Sequence, residues 1–192
     1  SFVYLQGSEL KNRVVFYDFS EIGKNVPNRL VGGFDDEFQG DMVPRVTYMG
    51  NPYSCAFSGK ALTFFSSRNL ASPELVVQRT IDERIDSVLY SDEYAAAIVR
   101  NTNGEYGSRL EVYKKDGTHV LSKEFNFEYT HADFDGDLII LYNEDSCRIY
   151  NMSGTEKFDA TFDFPVSKIR KGRFPGTLVV TGPQQMQELK LR

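Results

Sequence analysis

The 192-residue chain is 41% hydrophobic and 26% charged, as expected for an ordinary soluble globular protein. Its formal net charge of −5 argues against a general attraction to nucleic acid or to anionic lipid. The apolar runs are far shorter than the roughly 20 residues that cross a bilayer. The opening SFVYLQ is typical of a strand and shows no signal peptide, so we expect the chain to be a piece of a longer protein.

Stretches in which apolar and polar residues alternate follow one another along the whole chain. They are Arg13–Phe19, Arg45–Met49, Glu74–Ile81, Arg109–Lys115 and Glu156–Phe164, and each ends near turn-forming residues. Alternation with a period of two is typical of half-buried β-strands. No window of a dozen residues shows the 3.6-residue stripe of an amphipathic helix. The sequence therefore predicts an all-β protein with almost no helix.

A four-strand unit recurs along the chain. The pattern Tyr-x-x-x-Gly appears in VYKKDG (Val112–Gly117) and again in IYNMSG (Ile149–Gly154), each between an apolar strand and a Phe-rich strand. Units begin near Arg45, Ile85, Tyr129 and Lys168, at spacings of 40, 44 and 39 residues. Four short strands at this period are typical of β-propeller blades, which must stack to cover their faces.

The repeat predicts a single domain over residues 1–192, a partial β-propeller of four to five blades. The approximate blades are 1–40 (incomplete), 45–83, 84–127, 128–165 and 166–192 (incomplete). The first segment resembles the second, third and fourth strands of a blade, and the last resembles the first, second and third. Exposed edges of this kind favour self-association, so we expect a homodimer formed through blade edges.

The acidic stretch DFDGD contains Asp133, Asp135 and Asp137, which are weak candidates for metal ligands. It falls between the first and second strands of its unit, where the other units also have turn-forming residues. Asp-Gly is favoured in type I′ hairpins, in which both central residues have positive φ. A calcium loop would continue with ligands at alternate positions, whereas an apolar strand follows here at once. The sequence therefore predicts a type I′ turn at Asp135–Gly136 and no metal.

Three other features have an ordinary interpretation and an alternative. The acidic segment Gly32–Asp41 reads as a solvated loop, with cation or partner binding as the alternative. The basic segment Lys168–Arg173 reads as a solvated strand face, with an anionic partner such as a cell-wall polymer as the alternative. Cys55 and Cys147 are expected to be buried thiols, although the sequence leaves a disulfide between them open.

The stretches Phe2–Asn25, Arg29–Asp35, VPRVTYM, YSCAFSGKAL and SVLYSDEYAAAIV, followed by RLEVYKKDG, resemble an uncharacterised family of Gram-positive bacteria. In that family a short cytoplasmic end and one transmembrane helix precede an extracellular WD40-like β-propeller. The resemblance covers essentially the whole chain and corresponds to the C-terminal half of the family's proteins. It implies a location outside the cell membrane, anchored by a helix absent from this chain, and it brings no catalytic residues.

We expect a non-catalytic extracellular binding or scaffold module for a protein or cell-wall ligand, without a cofactor. Rigid propeller sheets can present many loops to such a ligand. Exposed aromatic side chains would serve it, and the weak candidates are Tyr53, Tyr94 and Tyr106. The alternatives are an extracellular sensor domain of a single-pass membrane protein and a hydrolase that uses propeller loops.

Overall fold

The computed structural model describes residues 2–7, 12–18, 29–34, 45–101 and 105–191. Every regular element in these ranges is a β-strand, which confirms the all-β prediction. In chain order the strands are β1 (Phe2–Gly7), β2 (Asn12–Tyr17), β3 (Leu30–Phe34), β4 (Arg45–Tyr48), β5 (Tyr53–Phe57), β6 (Ala61–Ser66), β7 (Glu74–Thr80), β8 (Ile85–Tyr90), β9 (Tyr94–Arg100), β10 (Ser108–Lys114), β11 (His119–Phe125), β12 (His131–Asp135), β13 (Leu138–Tyr142), β14 (Ser146–Asn151), β15 (Glu156–Thr161), β16 (Lys168–Lys171), β17 (Thr177–Thr181) and β18 (Met186–Lys190). The described part of the chain contains no helix with the length and hydropathy of a membrane span.

The described strands form five antiparallel sheets in which consecutive strands are hydrogen-bonded neighbours. Sheet 1 is β1–β3, sheet 2 is β4–β7, sheet 3 is β8–β11, sheet 4 is β12–β15 and sheet 5 is β16–β18. The second, third and fourth sheets have four strands, and the first and last have three. Each sheet falls within one of the residue ranges predicted from the repeat. The assignment of these ranges as blades of one domain stays a prediction.

By its contacts the chain divides into two compact units. Unit 1 comprises Ser1–Arg100 with Val112–His119, and unit 2 comprises Asn101–Glu111 with Val120–Arg192. The contacts below are those within one unit or the other.

β-bulges interrupt the pairing of neighbouring strands in several sheets. In sheet 2 the pairing of β6 with β7 skips Val76, and in sheet 4 the pairing of β14 with β15 skips Lys157. The β2–β3 pairing of sheet 1 skips Val31 in the same way, whereas the β17–β18 pairing of sheet 5 is regular. In sheet 3 the pairing of the first two strands, β8 and β9, skips Asp86. The correspondence of sheets 1 and 5 to parts of the four-strand unit stays a prediction.

The Tyr-x-x-x-Gly pattern forms the same turn twice, between the third and fourth strands of sheets 3 and 4. Gly117 and Gly154 have φ angles of 79° and 78°, which glycine adopts without steric cost. The N–H of Gly117 donates to the carbonyl of Lys114 at 2.8 Å, and that of Gly154 donates to the carbonyl of Asn151 at 2.9 Å. The repeated sequence pattern is therefore a repeated backbone structure.

These two turns also pack on the fourth strand of the preceding sheet. A Cβ atom on Gly117 would lie 2.2 Å from Cγ1 of Val77 in β7, and one on Gly154 would lie 2.9 Å from Cδ1 of Leu121 in β11. The guanidinium of Arg79, also in β7, donates to the carbonyl of Gly117 at 2.9 Å. Glycine is thus required at these turns both by the backbone and by the neighbouring sheet.

The middle strands carry the core of each unit. The five residues of β13 are all buried, as are five of the seven in β9, whereas the edge strand β7 alternates exposed and half-buried residues. The clusters join side chains of neighbouring sheets: Phe57, Phe64, Ala97 and Val99 in unit 1, and Ile140, Ile149, Leu178 and Val180 in unit 2. Burying one such Val, Leu, Ile or Phe side chain contributes about 1.5–3 kcal/mol, so these middle strands dominate the stability.

The acidic turn is a two-residue hairpin, but its type differs from the prediction. Asp135 pairs with Leu138, so the two central residues are Gly136 and Asp137. Gly136 has a φ of 63°, and no described residue other than glycine has a positive φ. This is the φ pattern of a type II′ turn, with glycine in the first central position, rather than the predicted type I′ turn. Because Asp135 is paired within the ladder, the turn lies one residue closer to the C-terminus than predicted.

Both cysteines are free thiols that are fully buried. Burial raises the pKa of the Cys147 thiol to about 12 and that of Cys55 well above its usual value. This confirms the prediction of two buried thiols that pack as small apolar side chains.

Candidate functional site

One end of sheet 2 presents a row of three side chains from neighbouring strands. Tyr53 at the start of β5 pairs with Ser66 at the end of β6, and Ser66 pairs with Glu74 at the start of β7. Residues directly opposite one another in a ladder point to the same face of the sheet. The row therefore places a phenol, a hydroxyl and a carboxylate side by side on one face.

The connection between β6 and β7 extends beyond this row. It comprises seven residues, 67–73, whereas the corresponding connection of sheet 4 has four, 152–155. Ser67 is fixed at its base because its N–H and its hydroxyl both donate to the carbonyl of Pro52, at 2.8 and 3.1 Å. The Asn69 side-chain oxygen accepts from the N–H of Ala71 at 3.2 Å, which is an Asx turn. These local hydrogen bonds define the conformation of the loop, which lacks the Tyr-x-x-x-Gly pattern.

The row and the loop enclose an open pocket of about 340 Å³. Its lining residues are Tyr53, Ser66, Arg68, Asn69, Glu74 and Val76. The size lies at the lower end of small-molecule sites, which have volumes of about 300–1,000 Å³.

Two hydrogen bonds orient Arg68 in this pocket. Its Nη2 donates to the phenolic oxygen of Tyr53 at 3.4 Å, and its backbone N–H donates to Oγ of Ser66 at 3.3 Å. Tyr53 itself is half-buried and packs on the core of unit 1. The guanidinium is thus held near a ring that the core fixes in place.

The β-bulge in β7 provides the remaining wall of the pocket. Val76 is the residue that the β6–β7 register skips, and 42% of its surface is exposed. Bulges are common beside functional sites because they redirect a side chain out of the regular alternation. Here an exposed apolar side chain lies beside Glu74, on the rim of a polar pocket.

The pocket offers a ring, an aliphatic side chain, a cation, an anion, an amide and a hydroxyl. This set can bind a small polar ligand by apolar contact and by charge-assisted hydrogen bonds. Glu74 is the one carboxylate among the lining residues, whereas hydrolysis of a glycosidic bond ordinarily uses two facing carboxyl groups. The arrangement favours binding over catalysis.

Of the three tyrosines predicted for partner binding, Tyr53 lines this pocket. Tyr94 begins β9, the position in sheet 3 that Tyr53 has in sheet 2, and it is half-buried there. Tyr106 precedes β10 in unit 2, and 39% of its surface is exposed. Tyr53 and Tyr106 thus belong to different units, and the prediction that they bind a partner stays a prediction.

Lys171 contacts two aspartates of the acidic turn that was considered as a metal site. The Asp135 carboxylate accepts from the N–H of Lys171, and the Asp137 carboxylate accepts from its ammonium group, both at 2.5 Å. The Asp133 carboxylate accepts from the adjacent N–H of Phe134 at 2.9 Å. The Lys171 hydrogen bond lowers the pKa of Asp137. Among the described residues, no group of three or more His, Cys, Asp or Glu side chains has an arrangement that could hold a metal ion.

Two further charged segments were noted in the sequence, one acidic and one basic. The part of the acidic segment from Asp35 to Asp41 lies outside the described residues. In the basic segment Ile169 is buried, and its neighbours Lys168 and Arg170 are exposed, as expected for a solvated strand face. Lys171 belongs to this segment, and its ammonium group pairs with Asp137 while 38% of its side chain is exposed.

Most of the pocket could not be identified from the sequence. Arg68, Asn69 and Glu74 are ordinary surface residues by type, and strand pairing is what brings them to Tyr53. One signal was available: SSRNLASPE (Ser66–Glu74) stands where the other units have Tyr-x-x-x-Gly. A departure from an internal repeat indicates that the residues there have a role other than maintaining the repeated structure.

Comparison with solved structures shows what the fold is similar to. The fold is similar to that of a β-propeller, KlHsv2 with loop 6CD replaced by a Gly-Ser linker, at a TM-score of 0.56 and 10% sequence identity. The match covers 97% of this chain and 63% of that chain, so this chain spans less than two thirds of the length of that propeller. The chain belongs to the family of unknown function DUF5711, whose sequence model matches residues 1–191. No curated protein sequence matches this chain.

Proposed function

We propose that this chain is a non-catalytic binding module and that the pocket of sheet 2 is its ligand site. The observation that carries the proposal is the loop 67–73, which departs from the repeat and adds Arg68 and Asn69 to the row of Tyr53, Ser66 and Glu74. Binding sites are concentrated on loops that a rigid scaffold positions, and the buried sheets supply that scaffold.

The proposal includes a location outside the cell membrane, in a protein that a transmembrane helix anchors. Its support is the resemblance of the strands to membrane-anchored bacterial propellers. Proteolysis of intact cells tests it: the native protein should be cleaved by an added protease before the cells are lysed. Cleavage that begins only after lysis would contradict the extracellular location.

The binding proposal is tested by a thermal-shift screen against amino acids, dipeptides, sugars, nucleotides and soluble cell-wall fragments. We expect at least one class to raise the melting temperature, because a ligand that binds the folded state stabilises it. Val76→Arg should remove the shift by placing a long side chain in the pocket.

The matched control is Leu70→Arg. Leu70 is an exposed apolar residue of the same loop that does not line the pocket, so this variant should keep the shift. If no compound stabilises the protein, or if both variants respond like the wild type, the pocket is not the ligand site.

We also propose that two copies associate through the edge of β18. Among the described residues this strand pairs only with β17, and 72% of the surface of Met186 is exposed. An open strand edge can pair with a second strand. Light scattering should show a dimer that Met186→Lys weakens, whereas Phe174→Lys, at another exposed apolar residue of sheet 5, should not. A monomer at high protein concentration would contradict this proposal.

A further inference from the structure

The pocket of sheet 2 is lined by two opposite charges that do not neutralise each other. Arg68 and Glu74 both line it, and within the described residues neither forms a salt bridge. Ion pairs elsewhere in unit 1 are direct, such as that of Arg100 with Asp86 at 3.3 Å. A cation and an anion that share one pocket but remain unpaired are complementary to a ligand that carries both charges.

The two charges are held at different sides of the pocket. Arg68 is oriented by its hydrogen bond to the Tyr53 hydroxyl, on the β5 side. Glu74 projects from β7, two strands away, with Ser66 between them. Neighbouring strands are about 4.8 Å apart, so the Tyr53 and Glu74 backbones are separated by roughly 10 Å. A ligand over Ser66 would direct its anionic end to Arg68 and its cationic end to Glu74.

The other lining groups fit the middle of such a ligand. The Asn69 side-chain oxygen is used within the loop, and this bond leaves the Nδ2 donor of the amide free to face a ligand carbonyl. Val76 and the ring of Tyr53 add apolar surface for a small aliphatic group. A short peptide has this order of groups, because its peptide bond and short side chains lie between an ammonium group and a carboxylate.

We propose that the pocket binds a small zwitterion of the amino-acid or short-peptide class, with Arg68 bound to its carboxylate and Glu74 to its ammonium group. This inference rests on the proposed function, because it names the ligand class of the same pocket. A neutral sugar would offer no charged group to either side chain, so it would form no charge-assisted hydrogen bond of opposite charge here.

The experiment is an NMR titration of the ¹⁵N-labelled protein with pools of the twenty standard amino acids and of dipeptides, at concentrations up to the millimolar range. We expect at least one zwitterion to shift the amide signals of the loop 67–73 and of the start of β7. The best binder is then compared with two blocked forms, one N-acetylated and one with a C-terminal amide. Each block should weaken binding about tenfold, because it removes one charge-assisted hydrogen bond.

Two variants assign each charge to its partner. In Arg68→Gln the C-terminal amide should weaken binding no further, and in Glu74→Gln the N-acetyl group should weaken it no further. The double variant Arg100→Gln, Asp86→Asn removes a direct ion pair of the same unit, and it should bind all three ligands as the wild type does. This pattern would support the assignment because a general loss of stability cannot produce it.

Three outcomes overturn the inference. If no zwitterion binds, but a sugar or nucleotide stabilises the protein and Val76→Arg prevents it, the ligand class is wrong and the binding module stands. If blocked and free peptides bind equally, the charges do not select the ligand. If no compound of any class affects the wild type, the inference and the proposed function fail together.

Discussion

The connection between β6 and β7 differs from the two turns that occupy the same place in sheets 3 and 4. At Gly117 and Gly154 four residues connect the two strands, and glycine packs directly on the preceding sheet. The longer connection in sheet 2 keeps that contact through its last residue, since Cδ of Pro73 lies 3.1 Å from the Cβ position of Gly32 in β3. Its extra residues therefore form the pocket without loss of the contact between sheets.

The comparison separates two uses of one position in a repeat. A minimal turn serves packing alone, and its sequence is restricted to what the backbone and the adjacent sheet allow. A longer loop satisfies packing at one residue and leaves the others to contact ligands. Substitutions at the two kinds of connection test this distinction, and their expected effects on the free energy of unfolding decrease from the minimal turns to the acidic hairpin.

Gly117→Ala should destabilise the protein most. The substitution forces an L-residue to a φ of 79° and places Cβ 2.2 Å from Val77 Cγ1. Left-handed backbone costs about 1–2 kcal/mol and overpacking costs about 1–3 kcal/mol, so the loss should be about 2–5 kcal/mol. Urea unfolding with an unchanged m-value would measure it.

The control for this first substitution is Gly176→Ala. Gly176 has a φ of 71°, but nothing lies within 4 Å of its Cβ position, so only the backbone cost of about 1–2 kcal/mol should appear. If Gly117→Ala costs no more than Gly176→Ala, the turn of sheet 3 does not pack on β7 as described.

Gly154→Ala should have an intermediate effect. Its φ of 78° matches that of Gly117, but the nearest atom to its Cβ position is Leu121 Cδ1, at 2.9 Å. The end of a leucine side chain can rotate away, whereas the β-branched Val77 is stiff. A loss of about 1.5–3 kcal/mol in the same urea experiment is expected. A loss larger than that of Gly117→Ala would reverse the ranking of the two contacts.

Replacing residues 67–73 by the four-residue sequence Met-Ser-Gly-Thr of the sheet 4 connection should change stability by about 1 kcal/mol at most. Surface connections tolerate changes in length because loop-closure entropy varies slowly with length. The same replacement should abolish ligand-induced thermal shifts, because it removes Arg68 and Asn69. Retained binding would show that the loop does not form the site.

Asp137→Asn should have the smallest effect, a few tenths of a kcal/mol, because 75% of the Asp137 side chain is exposed and solvent screens its pair with Lys171. The hydrogen bond from Lys171 lowers the pKa of Asp137 in the folded state. The stabilisation is therefore present above the unfolded pKa of about 3.9 and is lost as pH falls through the lower folded pKa.

Urea unfolding at several pH values between neutral and strongly acidic conditions would measure this pH dependence. Asp137→Asn and Lys171→Gln should remove the same component, and their combination should add nothing further. Additive effects of the two substitutions would contradict the pairing of these side chains.

The sequence predicted the architecture because the architecture repeats. The period near 40 residues and the glycines at 117 and 154 are local signals, and each has a direct backbone counterpart. A hairpin was predicted correctly at this place in the chain, but its central residues were off by one and its type was wrong, because the strand register and not the dipeptide preference decides which residues occupy the turn.

The pocket was less accessible to sequence reasoning. Tyr53 was selected as an exposed aromatic residue, but the structure shows a half-buried ring whose neighbours come from two other strands. The bulge at Val76 depends on pairing between β6 and β7, and the alternation within β7 alone does not reveal it. Binding sites assembled across strands require the register, which one sequence specifies only in part.

Each unit contains one buried thiol, whose chemical labelling can report when that unit opens. Cys55 lies in unit 1 and Cys147 in unit 2, and with their high pKa values neither is a thiolate in the native protein at neutral pH. A thiol reagent can modify them only after a local or global opening exposes the sulfur. Mass spectrometry of the two labelling rates would therefore reveal whether the halves open together or one at a time, without any introduced probe.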